Sequence, residues 1–193
     1  MDRSIVEFIE GLRRSLPSTL DQEERLCLLF NMALVKAGER PSVLIDYHVT
    51  VEKLENHSAF NQFVESDSDL RIGRFKTEST SRFELFVYHR SVVHLFTETD
   101  ISDRSREEIH KTRGERLGYP HVITSTADRN LVSLNMQIVI PCDGGLLCYP
   151  CYSYLTPKTL EAFNDGLRLW LRFQPYAKIL GYGLSFSLSP WTD

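Results

Sequence analysis

Asp143-Gly144 sits between two apolar runs, "LVSLNMQIVI" before it and "LLCYPC" after it. Asp-Gly between such runs is the strongest short-range signal for a β-hairpin, because both turn positions call for positive φ. If those two residues form the loop, every pairing follows. Cys142 faces Gly145, Ile140 faces Leu147, Val139 faces Cys148, Ile138 faces Tyr149 and Met136 faces Cys151. Cys142 and Cys151 then share one face and Cys148 takes the other. Six pair positions at about 3.3 Å each separate Cys142 from Cys151 by roughly 20 Å. A zinc ion needs all of its sulfurs at about 2.3 Å, so this hairpin excludes a three-cysteine site. Pro150 has no N–H for a ladder, so it predicts an edge strand or a bulge. A break there would turn Cys148 and Cys151 together, with His110 and His121 as the nearest further ligands. The "CYPC" run also has the spacing of a dithiol redox motif. Such motifs sit at helix N-termini, whereas the next helix begins only near Pro157.

The rest of the chain alternates helix and strand signals. Ser4 and Glu7 form a capping-box pattern, Ile5, Ile9, Leu12 and Leu16 recur at helical spacing, and Pro17 stops the run. A second helix starts near Asp21, with Glu24 three residues on, and ends at Gly38; its apolar middle, including Cys27, places it in the core. "SVLIDYHVTV" alternates as a strand, with Val43 and Ile45 on one face and Leu44, Asp46, His48 and Thr50 on the other. A short helix follows Ser58. "LRIGRFKTE", "RFELFVY" and "SVVHLFTE" read as strands. A charged helix runs from Asp103 to Leu117 and is ended by Gly118 and Pro120. The last helix has Thr156 as cap and Pro157 in its first position. Leu160, Phe163, Leu167, Trp170 and Leu171 form its apolar stripe, and Pro175 ends it. "LSFSLS" closes the chain as a strand. Strands joined by short turns imply an α+β fold: one domain over residues 1–193, with a mostly antiparallel sheet of six or seven strands and packed helices.

Charge and composition narrow the functional classes. A formal net charge of −4 and a pI near 5.9 argue against bulk binding of nucleic acid or an anionic membrane. No window approaches 18 uncharged apolar residues, so no membrane span is expected. "MDRSIVEFIEGLRRSL" carries Asp2, Glu7 and Glu10 and lacks the apolar run of a secretory signal. With only four cysteines, three of them clustered, and no export signal, a soluble cytoplasmic protein with reduced thiols is expected.

Two constellations could carry chemistry. Arg106, His110 and Arg113 fall at i, i+4 and i+7 of the charged helix, with Arg116 close by. Gly114 beside them is costly in a helix and leaves room for a ligand to come near. Guanidinium groups grip phosphate or carboxylate through a bidentate fork, so this stripe suits an anion. The competing reading is a solvated helix face of mixed charge. The second constellation is "DYHVTV". Its His48-Val49-Thr50 resembles the His-x-Thr core of the two-histidine phosphoesterases, in which paired histidines handle a proton and the hydroxyls hold phosphate oxygens. That family has a second such tripeptide. Here His94 and His121 each have their hydroxyl, Thr97 and Thr124, one residue too far along, so the resemblance covers one tripeptide.

No complete catalytic set is present, and no cofactor or metal is called for. The first expectation is a binding or regulatory protein that recognises a small phosphate-bearing anion at Arg106, His110, Arg113 and Arg116, or a protein partner. One alternative is an enzyme on a phosphate-containing substrate, with His48 and Thr50 working alongside His94 or His121. The other is a small module stabilised by zinc on the late cysteines.

Overall fold

A computed structural model describes residues 3–45, 52–76, 83–119, 131–157 and 160–190; the side chains at 142, 157, 160 and 161 lie outside that description. Helix α1 (Arg3–Ser15) stops before Pro17, and α2 (Gln22–Lys36) follows. A full capping box starts α2. Glu24 N donates to Asp21 Oδ1 at 2.8 Å, and Asp21 N donates to Glu24 Oε2 at 2.9 Å. All residues from Leu26 to Val35 are buried. Each large apolar side chain there is worth about 1.5–3 kcal/mol on burial, so the helix is held by its surroundings more than by its own propensity.

Among the described residues, the expected single sheet of six or seven strands does not form. Two three-stranded antiparallel sheets form instead. In the first, β3 (Glu84–His89) lies between β1 (Ser42–Leu44) and β2 (Leu70–Phe75). In the second, β4 (Leu131–Cys142) lies between β5 (Gly145–Pro157) and β6 (Gly183–Pro190). Helix α2 packs against β1, β3 and β5, so the sheets share a core through a helix instead of joining edge to edge. The main hydrophobic cluster runs from α1 through α2 to Val43, Ile45, Leu70, Leu85 and Val87, and on to Leu134, Met136, Ile138 and Tyr152. A second cluster of Leu44, Phe75, Phe86, Tyr88, Phe96 and Leu117 covers the other face of the first sheet. Strand β3 is consequently buried on both faces. Two short helices, α3 (Glu52–Glu55) and α4 (Ser58–Ser66), precede β2.

The predicted strand "SVVHLFTE" is a 3-10 segment, Arg90–Phe96, kinked at Val92. Val92, Leu95 and Phe96 pack into the second cluster, and Phe96 stacks on Tyr88 with ring centroids 4.0 Å apart. Their i, i+3, i+4 spacing is helical, and it outweighed the β-branched pair Val92-Val93 that suggested a strand. Helix α5 (Arg106–Leu117) ends at Gly118 in the left-handed conformation (φ 82°). Helix α6 (Leu160–Ile179) continues past Pro175, where a stop was predicted.

The hairpin forms at the predicted loop. Its pairs run as expected from Cys142–Gly145 to Ile138–Tyr149 and reach Gln137–Pro150. The register then shifts, so Met136 faces Tyr152 instead of Cys151. This is the bulge that Pro150 foreshadowed, on an edge strand. Positive φ falls on Gly144 and Gly145, not on Asp143, because glycine enters that region without a Cβ clash. Among the described residues, no helix is long and apolar enough to cross a membrane.

Candidate functional site

Helix α5 does not present its cations as one free stripe. Its start is fixed by a capping box in which Glu108 N donates to Ser105 Oγ and Ser105 N donates to Glu108 Oε2; the Ser105 hydroxyl also donates to that oxygen, and the two bonds to the carboxylate hold Glu108 below the usual range. Arg106 and His110 are exposed. Arg113 is half-buried and forms an ion pair with Glu84 at the head of β3. Arg116 is 1% exposed. Its Nε donates to Leu95 O at 3.0 Å and its Nη2 to Glu98 O at 2.8 Å. Its guanidinium carbon lies 4.6 Å from the Phe75 ring centroid and 5.2 Å from that of Phe96. Burial pushes its pKa down. Arg113 and Arg116 thus fasten α5 to the sheet and to the 3-10 segment. Gly114 is buried, turned into the fold. His48, Thr50, Asp46 and His121 lie outside the described residues, and His94 is exposed on the 3-10 segment.

The cysteines are separated by the hairpin and its bulge. Cys148 is exposed and Cys151 is buried; the Cys142 side chain lies outside the description. Cys151 Sγ donates to Met136 O at 3.4 Å, and Cys27 Sγ on α2 donates to Pro150 O at 3.1 Å. Asn31, fully buried on α2, ties the same spot together. Its amide donates to Cys27 O at 2.9 Å and to Cys151 O at 2.5 Å, and its oxygen accepts from Arg40. The Arg40 guanidinium lies 4.6 Å from the Tyr152 ring centroid. Among the described residues, no three of His, Cys, Asp and Glu gather as a metal would require.

Burial pushes the Cys27 thiol up to about 12 and that of Cys151 well above its ordinary value. A raised folded pKa stabilises below the unfolded value and loses that stability as pH rises. Unfolding by urea should therefore become easier from pH 9 toward pH 12, by at most about 1.4 kcal/mol per pH unit for each thiol. Cys27→Ala should flatten that slope. A slope unchanged by the substitution would show that the Cys27 thiol ionises equally readily in both states.

The second sheet carries the most unusual surface. Helix α6 lies against β6 and β4. Its inward face carries Ala162, Gly166, Phe173 and Ala177, all buried, with Leu169, Trp170 and Ile179 packed partly against the core. A Cβ at Gly166 would sit 2.8 Å from both Leu134 and Phe186, so helix and sheet approach closely. Trp170 Nε1 donates to Leu184 O and ties α6 to β6. Of the stripe that the sequence suggested for the core, Trp170 packs inward and three other residues face outward instead. Phe163, Leu167 and Leu171 are 52%, 40% and 59% exposed. The Phe163 ring centroid is 5.6 Å from that of Phe186, which places this stripe on the β6 side. Leu188, on the same strand face as Phe186, is also exposed. The polar flank of α6 lies elsewhere. Arg168 pairs with Asp165 at 3.2 Å, and Arg172 pairs with Glu39 at 2.5 Å. Strand β6, "GLSFSLSP", has no charged residue, and among the described residues nothing pairs with its outer edge. The signal for this surface was that one helix carries more apolar residues than a single buried face can take. No family model, no curated protein and no solved structure matches the chain.

Proposed function

We propose that the chain is a binding protein without chemistry of its own, and that it docks another protein through the flank formed by α6 and β6. The observation that carries this is the run of Phe163, Leu167 and Leu171 exposed beside an uncharged strand edge. Contiguous apolar patches on a monomer mark interaction sites, and open strand edges are normally blunted by charge. No charge blunts this edge. Recognition of an anion at Arg106, His110, Arg113 and Arg116 has less behind it, because Arg113 and Arg116 are engaged in the fold. A single α+β domain fits a core cluster that reaches both sheets, and a reducing, intracellular setting fits free thiols at Cys27, Cys148 and Cys151.

Photocrosslinking in cells tests the reading. A benzophenone amino acid at position 167 should give one defined protein adduct, and the same probe at the exposed position Glu107 should give none. Equal labelling from both positions, or none from 167, would remove the docking surface.

A further inference from the structure

Resting on that reading, we propose that the partner is a second copy of this chain, joined by antiparallel pairing of β6 with the other copy's β6 across a twofold axis. The surface has two parts that a partner must satisfy together: an open strand edge and, on the same face of the sheet, an apolar helix flank. An extended peptide would complete the edge and leave Phe163, Leu167 and Leu171 in water. A lone helix would cover those residues and leave the edge unpaired. A copy of the chain supplies both, in matching positions. A twofold perpendicular to the sheet keeps both α6 helices on one face, so their exposed stripes meet above a continuous sheet of order β5-β4-β6-β6-β4-β5.

Charge points the same way. A copy of the chain brings the same −4 net charge, so an uncharged patch is where two copies can meet without repulsion. Strand β6 and the outward residues Phe163, Leu167 and Leu171 are uncharged, Asp165, Arg168 and Arg172 beside them are held in ion pairs, and Lys178 lies two turns beyond Leu171 at the end of α6. The area is sufficient. Eight residues of strand extend roughly 26 Å. One sheet layer plus one helix stands roughly 20 Å tall, giving on the order of 500 Å² per copy, or about 1,000 Å² in all, the threshold for a biological interface and the range of a weak dimer that forms at high concentration.

Sedimentation equilibrium tests this. At high micromolar concentration the wild type should have twice the 22.3 kDa chain mass. Leu167→Asp and Ser187→Lys should each return the single-chain mass with unchanged circular dichroism, since both sites are exposed. Leu146→Asp, at the exposed hairpin tip, should leave the dimer intact. A wild type of single-chain mass overturns the proposal, as does a dimer that survives Leu167→Asp or is lost with Leu146→Asp. If the wild type is a single chain and the probe at 167 still captures a different protein, the docking reading stands and self-pairing fails.

Discussion

Arg116→Ala is expected to cost about 3–5 kcal/mol of stability, read as a lower urea midpoint at unchanged slope. Three losses combine. The buried guanidinium leaves a void between Phe75 and Phe96, and it no longer lies over either ring. The carbonyls of Leu95 and Glu98 lose their charged donors. The 3-10 segment loses its link to α5. One feature limits the total: Nη1 of Arg116 has no hydrogen-bond partner among the described residues, so the native guanidinium is itself incompletely satisfied. Arg116→Met refills most of the volume without the hydrogen bonds and should lose about half as much. A loss below about 1 kcal/mol for the alanine variant would mean that Arg116 is not the fastening for α5 and is open to another role.

Asn31→Leu should cost about 2–4 kcal/mol, although leucine is similar in size. The side chain donates to two buried carbonyls and accepts from the buried Arg40. Cys27 O belongs to a helix and keeps its backbone bond. Cys151 O sits at the bulge, where the ladder is interrupted, so Asn31 is its route to satisfaction there. Leucine would also set an apolar group against the Arg40 guanidinium, raising the cost of burying that charge. Calorimetric melting of the variant, together with faster amide exchange confined to Cys151–Tyr154, is the expected pattern. A variant as stable as the wild type would show that the bulge holds without the bridge from α2.

Local signals were legible and long-range ones were not. The turn at Asp143-Gly144 and its register out to Pro150 follow from alternation and turn chemistry within a dozen residues. The capping box at Asp21 and the glycine stop at Gly118 are equally local. The division into two sheets depends on α2 lying against β1, β3 and β5, which no single window encodes. The arginines of α5 fall on one stripe by spacing, but Arg116 is buried by a segment about 20 residues upstream, itself read as strand. On α6 the stripe was visible and its direction was not. Large apolar residues suggested the core, while the close approach at Gly166 turned the face of Ala162, Gly166, Phe173 and Ala177 inward. The proposed docking surface was therefore visible in the sequence as a core stripe.

Amide hydrogen exchange along β6 tests the docking flank most directly. In an open edge, amides facing β4 exchange slowly and the alternate amides facing outward exchange like a loop. With the flank covered by a second copy, both sets should be slow at high protein concentration, and only the outward set should speed up on dilution or with Leu171→Asp. Outward amides that exchange at loop rates at every concentration would contradict self-pairing, and with no adduct from position 167 they would contradict the binding face as well.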